Sequence, residues 1–260
     1  MPLLKTPAIS LKGRKWGEAD RIVTFYTLRF GKLRGVARGA RRSKARFGAS
    51  LEPFVHTELN LFEKRGDSLY RITQADIHDP FPRLREDLGL MAAAGRLTNL
   101  VEAVTGEGDA GAKIFETLLE GLQALQTSTD PALTALLFQI RLLGLTGFRP
   151  QTDHCAACGE SAEDGRAFVS GHFSPVSGGL LCAGCATRQR NSCLPLSPGS
   201  LAFMQHAIRW KPAVLTRLKA EGRIRAEAEA AVESYVTVVT GRRLPPVDFL
   251  VAESTAVYES

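Results

Sequence analysis

Four of the five cysteines stand in two close pairs, Cys155 with Cys158 and Cys182 with Cys185, in the form C-x2-C-x23-C-x2-C. The two-residue spacing lets a tight turn point both thiolates of a pair at one cation. Two such pairs predict a single tetrahedral metal site with four cysteine ligands. Zinc is the ion that this ligand set favours, and an iron–sulfur cluster is the second candidate.

A site closed by four thiolates has no open position for water, so its expected role is to stabilise the fold. Gly159 and Gly184 are expected to give the turns their backbone freedom. We interpret His154 and His172 as surface side chains and Cys193 as a half-buried thiol. The N-terminal residues lack an apolar secretory segment, which predicts a cytoplasmic protein with reduced cysteines.

The first 80 residues have the pattern of β-structure. Apolar and polar residues alternate over 22–28 and again over 55–61, and glycines separate these stretches at turn-like intervals. Several short strands in so few residues favour a closed barrel, because a closed barrel leaves no exposed strand edge. Pro80 and Pro82 then mark a boundary.

After residue 83 the apolar residues recur with helical spacing. Asp130-Pro131 and Ser197-Pro198 each have the form of a capping residue followed by proline at the first helical position. The predicted fold class is therefore α+β. A five-stranded barrel over 1–80 is followed by an all-helical domain over 81–260, with the metal-binding module inserted at 151–194. No apolar stretch approaches the roughly 18 residues of a membrane helix.

The net charge of +6 is unevenly distributed. Residues 1–50 carry 13 lysines and arginines against two acidic residues, a net +11, so the other 210 residues carry a net −5. Such an asymmetry within one chain indicates an anionic partner at the basic end.

The cations are densest over 31–48, where seven occur without an acidic residue. Lys32, Arg34 and Arg38 alternate with Leu33, Gly35 and Ala37, so a strand here would place the cations on one face. A basic loop is expected to follow. The predicted nucleic-acid-binding residues are Arg14, Lys15, Lys32, Arg34, Arg38, Arg41, Arg42, Lys44 and Arg46.

A small barrel with a basic groove suits single-stranded nucleic acid, because phosphates pair with cations while bases stack on aromatic rings. Trp16 and Phe47 stand beside the cations and are the stacking candidates. The alternative interpretation is a merely solvated face, but such faces usually contain acidic neighbours, which this stretch lacks.

Three short patterns resemble catalytic motifs without the required context. Gly106–Gly111 matches G-x-G-x-x-G but follows a helical pattern and contains two acids, so it is expected to be a helix–helix loop. Lys113 stands one position too late for a phosphate-binding loop. The stretch His56–Glu58 resembles the H-x-E of zinc deaminases, but four thiolates would leave the metal no open position. We therefore predict a binding protein and not an enzyme.

The stretches Gly31–Arg42, Arg46–Gly48 and Leu51–Phe54 closely resemble the N-terminal signature of the RecO family of bacterial DNA repair proteins. Later parts follow in the same order, with helices, then Leu142–Pro150, then the cysteine pairs. The resemblance implies an OB-fold followed by a helical domain with an inserted four-cysteine zinc module. The basic residues over 31–46 match the family's basic strand and loop.

The resemblance also implies a function. Such a protein mediates recombinational repair: it binds single- and double-stranded DNA and anneals complementary strands. With RecR it assists RecA loading onto DNA coated by single-strand-binding protein. Some of the basic residues would contact RecR, and the acidic tail of single-strand-binding protein would dock near a cation such as Arg141 or Arg149. A cytoplasmic, nucleoid-associated location is implied.

Two other classes of function stay open at this point. One is a zinc-ribbon factor that binds RNA or associates with ribosomes, because paired cysteines and a basic end suit either nucleic acid. The other, which the closed metal site disfavours, is a zinc-dependent enzyme that modifies nucleobases.

Overall fold

The computed structural model describes residues 3–42, 47–63, 69–161, 171–189 and 192–244. These residues form two compact units, one ending at Ser128 and the other covering Thr129–Leu244. None of the described helices is both long enough and apolar enough to cross a membrane.

The first unit begins with a closed five-stranded barrel, as predicted. The strands pair in the order β1-β2-β3-β5-β4, and β1 also pairs with β4, which closes the ring. This is the strand arrangement of an OB-fold. The strands are β1 (Leu3–Trp16), β2 (Asp20–Thr27), β3 (Gly31–Ala37), β4 (His56–Phe62) and β5 (Tyr70–Asp79).

Alternate residues of the strands fill the barrel. Phe25, Leu33 and Leu59 lie inside, each no more than 3% exposed. Gly35 lies where β3 pairs in parallel with β5, and a Cβ atom there would lie 2.7 Å from Ile72 Cγ1. The glycine is therefore required for close approach inside the barrel, and not for a turn.

Three helices complete the first unit: α1 (Arg83–Glu86), α2 (Leu88–Val104) and α3 (Ala112–Gln126). Gly106–Gly111 connects α2 to α3, as the helix–helix interpretation predicts. The compact unit that contains the barrel also contains α2 and α3. The predicted boundary at residue 80, between the barrel and the helical domain, stays a prediction.

The second unit contains the predicted helices and the cysteine module. In chain order its elements are α4 (Pro131–Leu145), β6 (Gly171–Ser174), β7 (Gly179–Leu181), α5 (Ala183–Arg188), β8 (Leu194–Leu196), α6 (Pro198–Arg209), α7 (Pro212–Leu215) and α8 (Gly222–Thr240). The two capping predictions are confirmed, since Asp130 accepts a hydrogen bond from Leu133 N and Ser197 accepts one from Ser200 N. Strands β6, β7 and β8 form a small sheet in the order β7-β6-β8.

Glu227 joins α8 to the start of α6. It is 9% exposed, and its carboxylate accepts hydrogen bonds from Ser197 N and Ser200 Oγ at 2.6 Å each and from Arg223 Nε at 2.6 Å. Burial alone would raise its pKa, but these donors outweigh burial and lower the pKa to about 2.

We expect Glu227→Gln to lower the free energy of unfolding by about 2 kcal/mol at pH 7, because it weakens hydrogen bonds to a buried charge. The charged form is preferred in the folded state, so the contribution is complete above the unfolded pKa near 4.5 and is lost as pH falls towards 2. Urea melts from pH 7 to pH 3 measure this. Glu229→Gln on the same helix is the control, with an expected cost below about 0.5 kcal/mol. An equal cost for the two variants, or no pH dependence, would contradict the prediction.

Candidate nucleic-acid interface and metal centre

The β1–β2 turn and the turn after β3 lie side by side at one end of the barrel. Gly39 N donates to Asp20 Oδ1 at 2.8 Å, Arg41 N donates to Ala19 O at 3.0 Å, and Arg41 Nη1 donates to Glu18 O at 3.1 Å. These bonds fix the two turns to each other. The barrel-end surface, as we define it, consists of Arg14, Lys15, Trp16, Arg38, Arg41 and Arg42.

All five cations of the barrel-end surface are exposed, and Trp16 is 49% exposed. The guanidinium carbon of Arg14 lies 5.7 Å from the centre of the Trp16 ring, within the range of a cation–π contact. Within the described ranges, Arg14, Arg38 and Arg42 form no ion pair with a carboxylate. The predicted cations at this end are therefore brought together and presented to solvent.

The predicted cations on β3 have a different environment. The alternation is as expected, with Leu33, Gly35 and Ala37 buried and Lys32 and Arg34 facing outwards. Both outward cations are engaged within the unit, however. β3 ends at Ala37, so Arg38 begins the following turn instead of extending this row.

The partners of the outward β3 cations come from α2 and from the loop after it. Lys32 Nζ donates to Glu102 O at 2.6 Å, and Arg34 Nε lies 2.7 Å from Glu107 Oε1. Lys12 Nζ on β1 also pairs with Glu102 Oε1, at 2.9 Å. The sequence does not link this acidic segment to β3, because Lys32 and Glu102 lie 70 residues apart.

Two predicted DNA-binding residues, Lys44 and Arg46, lie outside the described residues. The stacking prediction for Phe47 is wrong: its side chain is 5% exposed and packs in the barrel core. A small barrel must fill its interior with large apolar side chains, and this requirement outweighs the cationic neighbours of Phe47 in sequence. Trp16 is therefore the stacking candidate among the described residues.

The four paired cysteines converge as predicted. Their Sγ atoms all lie within 4.8 Å of one another, and the Sγ atoms of Cys158 and Cys182 are 3.8 Å apart. A tetrahedral ion with metal–sulfur bonds of about 2.3 Å would separate its ligands by about 3.8 Å. The donor set and the spacing therefore fit a tetrahedral ion that prefers soft ligands, such as zinc.

The two cysteine pairs use different local geometry. Gly159 follows the first pair with a φ of +79°, so the predicted need for glycine is confirmed there. The prediction for Gly184 is wrong, because Gly184 lies in the first turn of α5. The second pair is instead brought together by the helix: Cys182 caps it and Cys185 lies one turn later.

Hydrogen bonds lower the pKa of one of the four thiols, that of Cys155. Burial of Cys155 opposes ionisation, but backbone N–H groups of Cys182, Cys158 and Ala157 lower its pKa to about 6. Cys182 N lies 3.4 Å from Cys155 Sγ, and Arg188 Nη2 donates to Cys185 Sγ at 3.1 Å. The contact to Cys155 favours its thiolate, whereas burial outweighs the Arg188 contact and raises the pKa of Cys185, so a metal must displace the proton of that thiol.

The remaining sequence candidates lie elsewhere. Among the described residues, the one group able to hold a metal contains the four cysteines and neither His56 nor Glu58 of the deaminase-like pattern. Cys193 is half-buried, as predicted, and its Sγ lies 3.2 Å from Gln189 O.

The two cations proposed near a tail-binding groove are both engaged within the second unit. Arg141 Nη1 donates to Ile208 O at 2.7 Å, and Arg149 Nη2 lies 3.6 Å from Asp153 Oδ2. Arg209 Nη2 also pairs with Asp153, 2.7 Å from Oδ1, so each oxygen of this carboxylate faces a guanidinium group.

Comparison with known proteins gives consistent matches along the chain. The family model described as Recombination protein O N terminal matches residues 1–81, and the one described as Recombination protein O C terminal matches residues 85–246. The chain is 30% identical over 250 residues to DNA repair protein RecO of Desulforamulus reducens, covering 96% of this chain and 94% of that one. It is 34% identical over 251 residues to that of Symbiobacterium thermophilum, covering 96% and 97%.

Proposed function

Because the chain belongs to the RecO family of DNA repair proteins, we propose that it acts as a mediator of recombinational repair. It binds single- and double-stranded DNA and anneals complementary strands. With RecR it assists RecA loading onto DNA coated by single-strand-binding protein. It acts by binding, without making or breaking covalent bonds, in the cytoplasm and at the nucleoid.

The observation that carries the DNA-binding proposal is the barrel-end surface. Five exposed cations and one exposed aromatic ring lie at the end of β1 and in the turn after β3, and hydrogen bonds fix that turn to the β1–β2 turn. Phosphates that bind such cations release condensed counterions, which favours association with any strand. Annealing follows from the same physics, because a basic surface lowers the repulsion between two strands that it holds together.

The four cysteines hold one structural zinc ion in this proposal. Their convergence within 4.8 Å and the hydrogen bonds to Cys155 and Cys185 support it. The ion stabilises the second unit and takes no part in a reaction, since four thiolates leave it no open position.

Protein partners complete the proposal. RecR contacts some of the basic residues of the barrel, sharing that region with DNA. The C-terminal tail of single-strand-binding protein binds the second unit, where an acidic tail would meet cations such as Arg141 or Arg149. An acidic tail at Arg149 would compete with Asp153 for the same guanidinium.

A competition experiment separates this proposal from an RNA-binding factor. A labelled DNA strand bound to the full chain is challenged with unlabelled DNA, duplex DNA or RNA of the same sequence. We expect single-stranded DNA to compete at least as well as RNA, and duplex DNA to compete measurably. RNA that displaces the strand at a tenth of the DNA concentration would favour the RNA-binding alternative.

A further inference from the structure

The outer face of β2 and β3 is the surface on which OB-folds commonly bind oligonucleotides. In this chain the segment Glu102–Gly111 covers part of it. Gly108 N donates to Lys32 O at 2.9 Å, and Glu107 forms a parallel bridge with Lys32. The segment therefore attaches to β3 through the backbone as well as through side chains.

The cover is closely fitted. Tyr26 on β2 is fully buried, and its hydroxyl donates to Asp109 O at 3.2 Å. A Cβ atom at Gly31 would lie 2.1 Å from Asp109 O, so only glycine allows the loop to approach β3 this closely. Such packing is typical of a fixed structural element and not of a lid that a ligand could displace.

The cover also has a structural reason. Among the described residues, β3 pairs with β5 at Gly35 and Val36, and in the first part of β3 Lys32 is bridged by the 102–111 segment. Unpaired backbone groups on a strand edge are a hazard for aggregation, and the bonds from the 102–111 segment pair the backbone of Lys32. The cations Lys12, Lys32 and Arg34 hold this segment through Glu102 and Glu107.

We propose that single-stranded nucleic acid binds the barrel-end surface, with one base stacked on Trp16, and that the outer face of β2 and β3 is closed to it. This inference rests on the proposed function and specifies its binding site. Lys32 and Arg34 are then positioning residues for the 102–111 segment, and the contacts with phosphates come from the cations of the barrel-end surface.

Trp16 fits the stacking role by position and exposure. Half of its surface is open to solvent, although a large aromatic side chain is usually buried. Arg14 lies against the ring, and Arg41 of the neighbouring turn donates to Glu18 O two residues further along, so a phosphate next to a stacked base would meet positive charge. Acidic residues also lie near this end: Asp20 accepts a hydrogen bond from Gly39 N, and Glu52 pairs with Arg21, which is opposite Lys15 in the sheet.

Tryptophan fluorescence tests the stacking directly, because Trp16 and Trp210 are the two tryptophans of the chain. In the Trp210→Phe variant, a thymidine oligonucleotide should quench the Trp16 emission as it binds. An abasic strand with the same number of phosphates should bind more weakly and leave the emission unchanged. Trp16→Ala should weaken oligonucleotide binding about tenfold without changing the salt dependence. Saturating binding without quenching would overturn the assignment of Trp16.

A matched pair of double variants tests which cations bind phosphate. Arg38→Gln with Arg42→Gln should reduce the slope of log affinity against log salt by about 0.7 for each lost contact. Lys32→Gln with Arg34→Gln removes the same charge and should leave both the slope and the affinity within about twofold of the parent, because both side chains are already bonded to the 102–111 segment. If the second pair lowers the slope as much as the first, the inference fails while the proposed function stands. If the parent does not bind DNA at all, the proposed function itself fails.

Discussion

Cys158→Ser is expected to abolish metal binding and to lower the melting temperature of the protein by about 10 °C or more. Structural zinc binds small peptides with an apparent free energy of about 10–16 kcal/mol, which is comparable to the total stability of a domain, about 5–15 kcal/mol. Cys158 is the exposed member of the four, so its replacement leaves no cavity in the core. The loss of stability would therefore report the loss of the metal.

Cys193→Ser is the matched control. Cys193 lies outside the four-cysteine cluster, and a serine hydroxyl can keep the contact with Gln189 O. This variant should bind a single zinc ion and have the same melting temperature as the parent protein. A chelator should reproduce the Cys158→Ser shift in the parent protein, and added zinc should reverse it. Metal-free parent that melts at the same temperature as the loaded protein would show that the ion is not structural.

Reversal of three charges, Arg38→Glu, Arg41→Glu and Arg42→Glu, is expected to weaken binding of single-stranded DNA about a hundredfold at 0.1 M salt. Counterion release contributes roughly a factor of 5 for each phosphate contact under these conditions, and three contacts multiply. The slope of log affinity against log salt should fall by about 2. Fluorescence anisotropy of a labelled strand across a salt series measures both quantities.

The control for charge reversal carries the same change in net charge at another place. Lys211, Arg217 and Lys219 are exposed in the second unit, and their reversal to glutamate should alter affinity by less than about threefold. If both triple variants weaken binding equally, the effect comes from net charge and not from a site. If neither does, the barrel-end surface does not bind DNA.

The barrel and the cysteine centre could be predicted from the sequence because their signals are local. Alternation marks β4 over a few residues, and each cysteine pair spans a single turn. The order of the parts, a closed barrel followed by helices with an inserted four-cysteine cluster, is confirmed.

What could not be predicted depends on contacts between distant parts of the chain. Lys32 and Arg34 have the same pattern in sequence as a free basic face, and only the fold shows that Lys32 bonds the backbone carbonyl of Glu102 and that Arg34 pairs with Glu107. The prediction for Phe47 is wrong for the same reason, since charged neighbours in sequence do not reveal that the ring fills the barrel.

Gly184 illustrates a different limit. A C-x2-C pair can be closed by a glycine turn or by the first turn of a helix, and both geometries bring residues i and i+3 together. The first pair uses the turn after Cys158, with Gly159 in the left-handed region, and the second pair uses α5. The spacing alone does not distinguish the two.

The most direct test of the account is the annealing of two complementary DNA strands that are coated with single-strand-binding protein. The parent chain should accelerate annealing, the Arg38→Glu, Arg41→Glu, Arg42→Glu variant should leave the rate at the level without protein, and the Lys211, Arg217, Lys219 control should match the parent. A barrel-end variant that anneals coated strands as fast as the parent would contradict the account.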